Sequence, residues 1–460
     1  MLRQYAGFSS LGPTSSISMM ASRSVGTAFR MSIGSFIAIW YFNTIIERES
    51  NHKGGGQAMR KAVSFLAVAV LTFCMARSGV AGDTIKVGFV DTYTGPATTF
   101  TNDVLDGFKM AAEKINAKGG VLGKKIAWVT RDDKFKPDIG LTMAKELILN
   151  ENVDLLVGTI NSATALAVSD LAKKEKIPFL VTFSKSDKIT GAMGHRYVFG
   201  MNENTEMAGR AAAKELAKKK YVKYWIAGDD YEYGHAIANG VFNHLKALNP
   251  KVQLLGQSWW KVREADFTPY ITQILAAKPD FVIVATGGAG MVPFQKAAQS
   301  TGFNKKIPFY QHTAIELSTL MPQGKNAPEG VYGTANYLFY NPATKENKAF
   351  VDEFRKAYNR YPKSGALYGY MTAQFVAKSF EKAGKIDREK FIDAMEGMTL
   401  PSPVGKMEMR ACDHQVSLPM FFGVTKKSPK YEFLIASDVI SVPGKEYMPS
   451  CAEIAKARAK

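Results

Sequence analysis

Ser162 is the first residue whose position suggests a chemical role. It stands directly before an apolar run, Leu166, Val168 and Leu171, whose spacing predicts a helix over 162–175. The first amides of a helix lack partners within it, and the helix dipole concentrates positive charge at that end. Ser162 is therefore placed to present N–H groups to an anion. The alternative is an ordinary serine that caps the helix.

Catalysis would need a nucleophile, a base and an electrostatic stabiliser close together. No GxSxG nucleophile elbow occurs, and the histidines are scattered: His195, His235, His244, His312 and His414. Two acid pairs stand at predicted strand ends, where solvated loop carboxylates are the usual explanation: Asp132 with Asp133, and Asp229 with Asp230. The motifs CxxC, HExxH and GxxxxGKS/T do not occur. We therefore expect no enzyme, no metal site and no cofactor.

The stretch 59–81 is interpreted as a secretory signal peptide. Two basic residues precede an apolar run over 62–76, and Gly79 and Ala81 supply the small residues that cleavage requires. The run is too short for a membrane-spanning helix, which needs about 20 apolar residues. We expect a mature chain that starts near Gly82 and lies in the periplasm.

Residues 1–58 precede this signal peptide, which is an unusual place for one. We interpret them as a non-native extension from a misassigned start codon, because codons for 53–55 can read AAGGAGG, a ribosome-binding sequence just before Met59. The alternative is a membrane-associated arm. Lipid attachment at Cys74 is a further alternative, although Phe73 stands where that motif prefers a small residue.

Cys412 and Cys451 are the two cysteines that follow the signal peptide. Export places them in an oxidising compartment, where two thiols are expected to pair as a disulfide. Two buried, unpaired thiols are the alternative, because the sequence does not give their separation.

The charge of the chain is strongly positive. It holds 59 Lys and Arg against 41 Asp and Glu, a formal net charge of +18. The lysines are spread along amphipathic helices, as in AAAKELAKKKYVKYW, instead of forming a basic block with interleaved aromatics. This spread is typical of solvated helix faces. We expect no nucleic-acid partner.

Strand and helix patterns alternate along the region that follows the signal peptide. Apolar, β-branched segments alternate with helical patterns, which predicts parallel sheets covered on both faces. The predicted strands are 85–90, 126–130, 154–158, 178–183, 221–228, 252–258, 280–286 and 307–311. The predicted helices are 103–118, 139–150, 162–175, 205–219, 233–248, 268–277, 290–301, 345–360 and 367–384.

The predicted strand–helix units are more than one open sheet usually holds, and 460 residues are more than one domain of about 150 residues. The predicted fold class is α/β, with two doubly wound parallel-sheet lobes and a ligand cleft between them. Lobe 1 is assigned to 82–203 and 335–418, and lobe 2 to 204–334 and 419–460. Ligands of such sheets bind beyond the carboxyl ends of the strands, so the cleft is the expected site.

Five segments resemble, in order and spacing, the type I periplasmic solute-binding proteins of the leucine/isoleucine/valine-binding kind. They are DTIKVGFVDTYTGP, LDGFKMAAEKINAKGGVLGKKI, DLLVGTINSATALAVSDLAKKEKIPFL, DDYEYG and FQKAAQSTGF. The resemblance covers about residues 83–437. It implies a two-lobed protein that closes on a small solute and delivers it to the permease subunits of an ATP-driven importer.

The resemblance also implies ligand contacts. The segment GTINSAT corresponds to the loop that holds a ligand carboxylate, which assigns contacts to Asn161, Ser162, Ala163 and Thr164. After the strand PFLVTF, where Phe183 stands, the family usually has a small residue and then a threonine that helps to hold an α-ammonium group. This chain has Ser184 and Lys185 there, and Thr313 stands where amino-acid binders place an acid.

These departures favour an organic acid over an amino acid, because like charges repel strongly in a poorly hydrated cleft. Two alternatives stay open. Glu316 could reach back and serve as the acid that holds an ammonium group. Lys185 could instead point to solvent.

Aromatic residues complete the expected site. Phe100, Tyr231, Tyr233 and Tyr368 are predicted in strand-to-helix loops, where several rings could stack on a flat ligand. Gly287 stands near a family aromatic position, which suggests room for a larger ligand. The favoured solute is an aromatic or other organic carboxylate. A branched-chain or related amino acid is the alternative, and a ligand-sensing binding subunit is the second alternative.

Overall fold

The computed structural model describes residues 84–95, 97–287 and 290–459. The interpretations of 1–58, of the signal peptide 59–81 and of lipid attachment at Cys74 lie outside these residues and stay predictions. Within the described residues, no helix is both long and apolar enough to span a membrane.

The first sheet has five parallel strands in the order β2-β1-β3-β4-β5. They are β1 Ile85–Asp91, β2 Ile126–Asp132, β3 Leu155–Gly158, β4 Phe179–Val181 and β5 Val198–Gly200. β3, β4 and β5 are buried along their whole length, as their short, continuously apolar sequences indicate. Within this sheet, β5 is the strand that the sequence patterns did not predict.

The second sheet has seven strands in the order β15-β14-β10-β9-β8-β6-β7. They are β6 Lys223–Asp229, β7 Gln253–Trp260, β8 Phe281–Ala285, β9 Phe309–Gln311, β10 Tyr332–Ala335, β14 Met420–Lys426 and β15 Ile435–Val442. The pairs between β6 and β10 are parallel, whereas β14 and β15 add an antiparallel edge. A small antiparallel sheet contains β11 Thr399–Ser402, β12 Gly405–Met409 and β13 Val416–Ser417.

Helices separate the parallel strands. In chain order they are α1 Thr98–Ala117, α2 Pro137–Leu149, α3 Ser162–Glu175, α4 Thr205–Leu216, α5 Glu232–Leu248, α6 Thr268–Ala277, α7 Met291–Ser300, α8 Phe303–Lys306, α9 Leu317–Leu320, α10 Lys345–Tyr358, α11 Ser364–Ala383, α12 Arg388–Met395 and α13 Cys451–Arg458. Short 3-10 turns lie at Met321–Asn326 and Gly444–Glu446. The fold is therefore α/β with two doubly wound lobes, as predicted. The exact residue boundaries of the lobes stay a prediction.

Glycines allow two helices of the first lobe to pack closely. A β-carbon on Gly369 of α11 would lie 1.8 Å from the carbonyl oxygen of Val104 in α1, and one on Gly107 would lie 2.1 Å from that of Ala366. Neither position could carry a larger side chain without separating the helices. This close contact holds α1 against α11.

Cys412 and Cys451 form a disulfide, with their Cα atoms 5.9 Å apart. The bond joins the loop between β12 and β13 to the first residue of α13. Ser450 caps this helix and forms a reciprocal capping box with Glu453.

Candidate functional site: a polar-aromatic cavity between the two sheets

Eight residues from the two lobes line a cavity of about 30 Å³: Phe100, Ile160, Phe183, Lys185, Tyr231, Tyr233, Gly287 and Thr313. The first four follow strands of the first sheet, and the other four follow strands of the second. All of these positions come after carboxyl ends of parallel strands, where ligands of doubly wound sheets bind. The structure thus brings seven of the predicted site residues together, and Ile160 is an addition.

Of the four aromatic residues that we expected in loops, Tyr231 lies in one, and the other three lie within the first two turns of helices. Helix α1 begins at Thr98, five residues earlier than predicted, so Phe100 lies in its first turn. Tyr231 precedes α5, and Tyr233 is the second residue of that helix. Tyr368 lies further along, in the second turn of α11, and is fully buried.

Lys185 points inward, so the alternative of a solvent-facing lysine is wrong. Its side chain is 5% exposed, and its ammonium group forms an ion pair with the carboxylate of Glu203, which is 1% exposed. The same ammonium lies 5.0 Å from the ring centre of Phe183 and 5.7 Å from that of Tyr368. Both distances suit cation–π attraction. Lys185 thus carries its charge into the interior with a counterion.

Glu203 follows β5 and is held from several sides. The hydroxyl of Tyr368 lies 2.7 Å from its Oε2, and Nε2 of His312 lies 3.5 Å from its Oε1. Burial opposes the charged form of Glu203, but the charge of Lys185 and the contact with His312 lower the pKa of this carboxyl below its ordinary value. Glu203 is therefore an ionised partner for Lys185.

Glu316 is a second acid beside this ion pair. It is fully buried, and neither carboxylate oxygen has a hydrogen-bond partner among the described residues. Burial raises the pKa of Glu316, and the nearby charge of Lys185 opposes that rise. Glu316 stands directly before α9, and not within a helix that reaches back. Burial therefore favours the protonated form of this carboxyl.

Gly287 does not create the space that we expected. A β-carbon on Gly287 would lie 2.7 Å from Cε1 of Tyr233 and 3.0 Å from the hydroxyl of Tyr231. The two tyrosines already occupy the volume that a side chain would have filled. The amide of Gly287 donates to Asp229 at 2.9 Å, which holds the glycine in place.

One member of each acid pair is buried, whereas the sequence suggested solvated loop carboxylates for both. Asp133 and Asp229 are almost fully buried. Asp133 accepts hydrogen bonds from Thr92 and from the amide of Phe135, and Asp229 accepts from Trp260 at 2.8 Å. The other member of each pair, Asp132 or Asp230, is more exposed. Strand β2 ends at Asp132 and strand β6 ends at Asp229, so each pair spans the end of a strand. These buried acids organise turns at the strand ends.

The start of α3 lies beside the cavity and not in its lining. The helix is capped by Asn161, whose side chain accepts from the amide of Thr164 at 3.0 Å, so Ser162 is not the cap. The amides of Ser162 and Ala163 have no hydrogen-bond partner among the described residues. The methyl group of Thr164 packs toward Gly140 of α2. The structure therefore separates this segment from the cavity walls.

Ser184 also points away from the cavity. Its hydroxyl donates to the carbonyl oxygen of Thr159 at 2.6 Å and lies 3.1 Å from that of Asn161. These bonds tie the end of β4 to the loop before α3.

Sequence reasoning missed Glu203 and His312, and it did not place Ile160 in the site. His312 directly follows the predicted strand β9 and precedes Thr313, so its location at a strand end was a usable signal. Glu203 lies three residues beyond β5 and directly before Asn204, the cap of α4. Because strand β5 was not predicted, nothing in the sequence patterns marked Glu203.

Comparison with known proteins agrees with this architecture. The family model for periplasmic binding proteins matches residues 84–429. The leucine-, isoleucine-, valine-, threonine- and alanine-binding protein of Pseudomonas aeruginosa is 28% identical over 346 residues, which cover 75% of this chain and 90% of that protein.

Two solved structures from Rhodopseudomonas palustris are similar. One is a solute-binding protein of an ABC transporter in complex with 3,4-dihydroxybenzoic acid, with 22% identity, a TM-score of 0.70, and coverage of 78% of this chain and 98% of that one. The other is an ABC-type branched-chain amino acid transporter, with 26% identity, a TM-score of 0.66, and coverage of 80% and 99%.

The family match covers well over half of the chain. The relatives are solute-binding transport proteins and not enzymes, and proteins of this family are typically periplasmic. The chain therefore belongs to the periplasmic binding protein family and is a solute-binding protein of an ABC transporter.

Proposed function

We propose that this protein binds a small carboxylate, preferably an aromatic or other organic acid, and delivers it to the permease subunits of an ATP-driven importer. The observation that carries the proposal is the Lys185 ammonium in a wall made largely of aromatic side chains. An ammonium group has three donors, and the described contacts of Lys185 use one of them, for Glu203. The other donors can serve a ligand carboxylate.

The rings around Lys185 suit a flat ligand. Phe100 and Phe183 meet edge to face with centres 5.4 Å apart, and Tyr231 and Tyr233 line the opposite side. An aromatic ligand among such rings gains roughly 0.5 to 1.5 kcal/mol for each well-oriented pair, beyond the area that it buries. Thr313, also in the wall, is neutral and offers no counterion for an α-ammonium group.

The cavity must enlarge before it can hold such a ligand. Its volume of about 30 Å³ is room for a water molecule or two, whereas a cavity that takes benzene is near 150 Å³. A hinge between the lobes supplies this space, since the walls come from both of them. An opened cleft would also expose the free amides of Ser162 and Ala163 to the ligand, as the sequence predicts. Small-angle scattering should show a smaller radius of gyration with saturating solute than without it.

A branched-chain or related amino acid is the second candidate. The observation in its favour is the relative from Pseudomonas aeruginosa, which is named as a binding protein for leucine, isoleucine, valine, threonine and alanine. The fold itself accommodates both classes of solute, because similar structures include a complex with 3,4-dihydroxybenzoic acid and a branched-chain amino acid transporter protein. A role as a ligand-sensing subunit would use the same site.

Calorimetric titration of the mature protein with benzoate, 4-hydroxybenzoate, leucine and valine tests the proposal. We expect an aromatic acid to bind more tightly than either amino acid. The double variant Lys185→Met with Glu203→Gln, which removes both charges together, should weaken that binding by about 1 to 3 kcal/mol. If leucine or valine binds more tightly than the aromatic acids, and the double variant binds it as tightly as the wild type does, the second candidate is correct instead.

Export through the signal peptide 59–81 is part of the proposal. N-terminal sequencing of protein recovered from the periplasm should begin near Gly82. A peptide from residues 1–58 in whole-cell mass spectrometry would contradict the interpretation of that segment as a misassigned extension.

A further inference from the structure

The surroundings of the Lys185 ammonium are those of a bound cation. Two aromatic rings, Phe183 and Tyr368, lie 5.0 and 5.7 Å from it, and the carboxylate of Glu203 pairs with it. The hydroxyl of Tyr368 lies 2.7 Å from Glu203 and 3.0 Å from Oδ1 of Asn336. The ring of Phe183 lies 5.6 Å from that of Tyr368. The two rings and the carboxylate of Glu203 are therefore held together by contacts that do not involve the lysine.

A second acid is buried near this ion pair. Glu316 is fully buried, and both of its oxygens lack hydrogen-bond partners among the described residues. It lies close enough to Lys185 for that charge to lower the pKa of the carboxyl against the effect of burial. Glu203 is thus the acid that pairs with the ammonium, and Glu316 adds a second buried acid nearby.

We propose that Lys185 is a tethered ammonium that occupies a cation subsite formed by Glu203 and the rings of Phe183 and Tyr368, and that it thereby excludes solutes carrying their own primary ammonium. Shortening Lys185 opens this subsite to an alkylammonium ion or to the ammonium of an α-amino acid. The inference deepens the proposed function, on which its account of solute choice rests. The existence of the subsite depends only on the contacts above.

Charge and volume explain the exclusion. A second ammonium beside Lys185 would meet a like charge in a poorly hydrated interior, where repulsion is strong. The lysine stem also fills the space that the carbon chain of an amine would need. Removing the stem and its charge leaves Glu203 buried without a counterion, which strongly favours uptake of a cation.

The test compares Lys185→Ala with Lys185→Met, which fills the subsite with an apolar chain of similar length. Thermal unfolding is followed in propylammonium chloride and in sodium chloride at equal ionic strength, with no carboxylate solute present. We expect propylammonium to raise the melting temperature of Lys185→Ala by about 2 °C or more and saturably. The wild type and Lys185→Met should respond equally to the two salts. The further change Glu203→Gln in the Lys185→Ala protein should reduce the rise.

An equal response of Lys185→Ala to both salts would overturn the subsite. If that variant does not fold alone, its refolding yield in each salt replaces the melting temperature: recovery only with propylammonium supports the subsite, and equal yields refute it. Leucine should bind Lys185→Ala at least about tenfold more tightly than the wild type, and equal affinities would overturn the exclusion. The amine measurements contain no carboxylate, so failure of aromatic acids to bind the wild type would refute the proposed function separately.

Discussion

Tyr233 and His312 are joined by a hydrogen bond of 2.8 Å between the phenol oxygen and Nδ1, and their rings stack with centres 5.9 Å apart. Tyr233 belongs to the cavity wall, whereas His312 lies behind it, 3.5 Å from the carboxylate of Glu203. This pair connects the aromatic cavity wall to the buried ion pair. When the phenol donates to Nδ1, the neutral imidazole carries its proton on Nε2. That proton then points toward Glu203.

Tyr233→Phe should destabilise the protein, because it leaves Nδ1 of buried His312 without a partner. We expect the free energy of unfolding in urea to fall by about 1 to 3 kcal/mol. Tyr231→Phe is the matched control, since the described contacts include no hydrogen bond of the Tyr231 hydroxyl, and its loss should be much smaller. Equal losses in the two variants would mean that the bond to His312 contributes nothing measurable.

Phe183→Leu should weaken the binding of aromatic solutes more than it lowers the stability of the protein. The change removes the ring that lies against Phe100 at 5.4 Å and Tyr368 at 5.6 Å, so an aromatic acid should lose about 0.5 to 1.5 kcal/mol of binding energy in calorimetry. Phe303→Leu, at a fully buried position outside the cavity lining, should reduce stability without changing affinity. Unaltered affinity in Phe183→Leu would remove this ring from the ligand surface.

The disulfide between Cys412 and Cys451 closes a loop between positions 39 residues apart. Loss of the constraint on the unfolded chain should cost about 4 kcal/mol when both cysteines are changed to serine, as measured by urea unfolding. A reducing agent should lower the stability of the wild type and leave the double variant unchanged. Two titratable thiols in unfolded, unreduced periplasmic protein would contradict the pairing.

Asp229 should make the protein less stable as the pH rises. Burial raises the pKa of its carboxyl from 3.8 to about 7, against the hydrogen bonds from Gly287 and Trp260. The folded state therefore retains a proton that the unfolded chain loses near pH 4. This contribution to stability is complete below about pH 4 and is lost as the pH rises through about 7.

Asp229→Asn removes that titration. The difference in the free energy of unfolding between about pH 5 and pH 8 should shrink by up to about 3 kcal/mol relative to the wild type. Asp138→Asn, at an exposed position in the first turn of α2, is the control and should keep the wild-type pH dependence. A wild-type pH profile in Asp229→Asn would show that this carboxyl does not carry the effect.

The sequence by itself determined the α/β class and most of the strands and helices of both sheets, because each has a clear hydrophobic period. It also placed residues such as Phe183 and Lys185 correctly at the end of a buried strand, since chain order alone puts strand ends at one edge of a parallel sheet. Local patterns were insufficient for β5, which is three residues long, and for the antiparallel β14 and β15, whose direction depends on distant pairing.

Only the tertiary structure decided how the charges of the site are arranged. The sequence left Lys185 free to face the cleft or solvent, and its partner Glu203 lies 18 residues away on another strand end. It suggested spare room at Gly287, which Tyr231 and Tyr233 fill, and solvated acids at Asp133 and Asp229, which are buried. Periodicity records which face of an element is apolar. Side-chain burial and ion pairing depend on contacts between elements that are far apart in the chain, and these exist only once both sheets have folded.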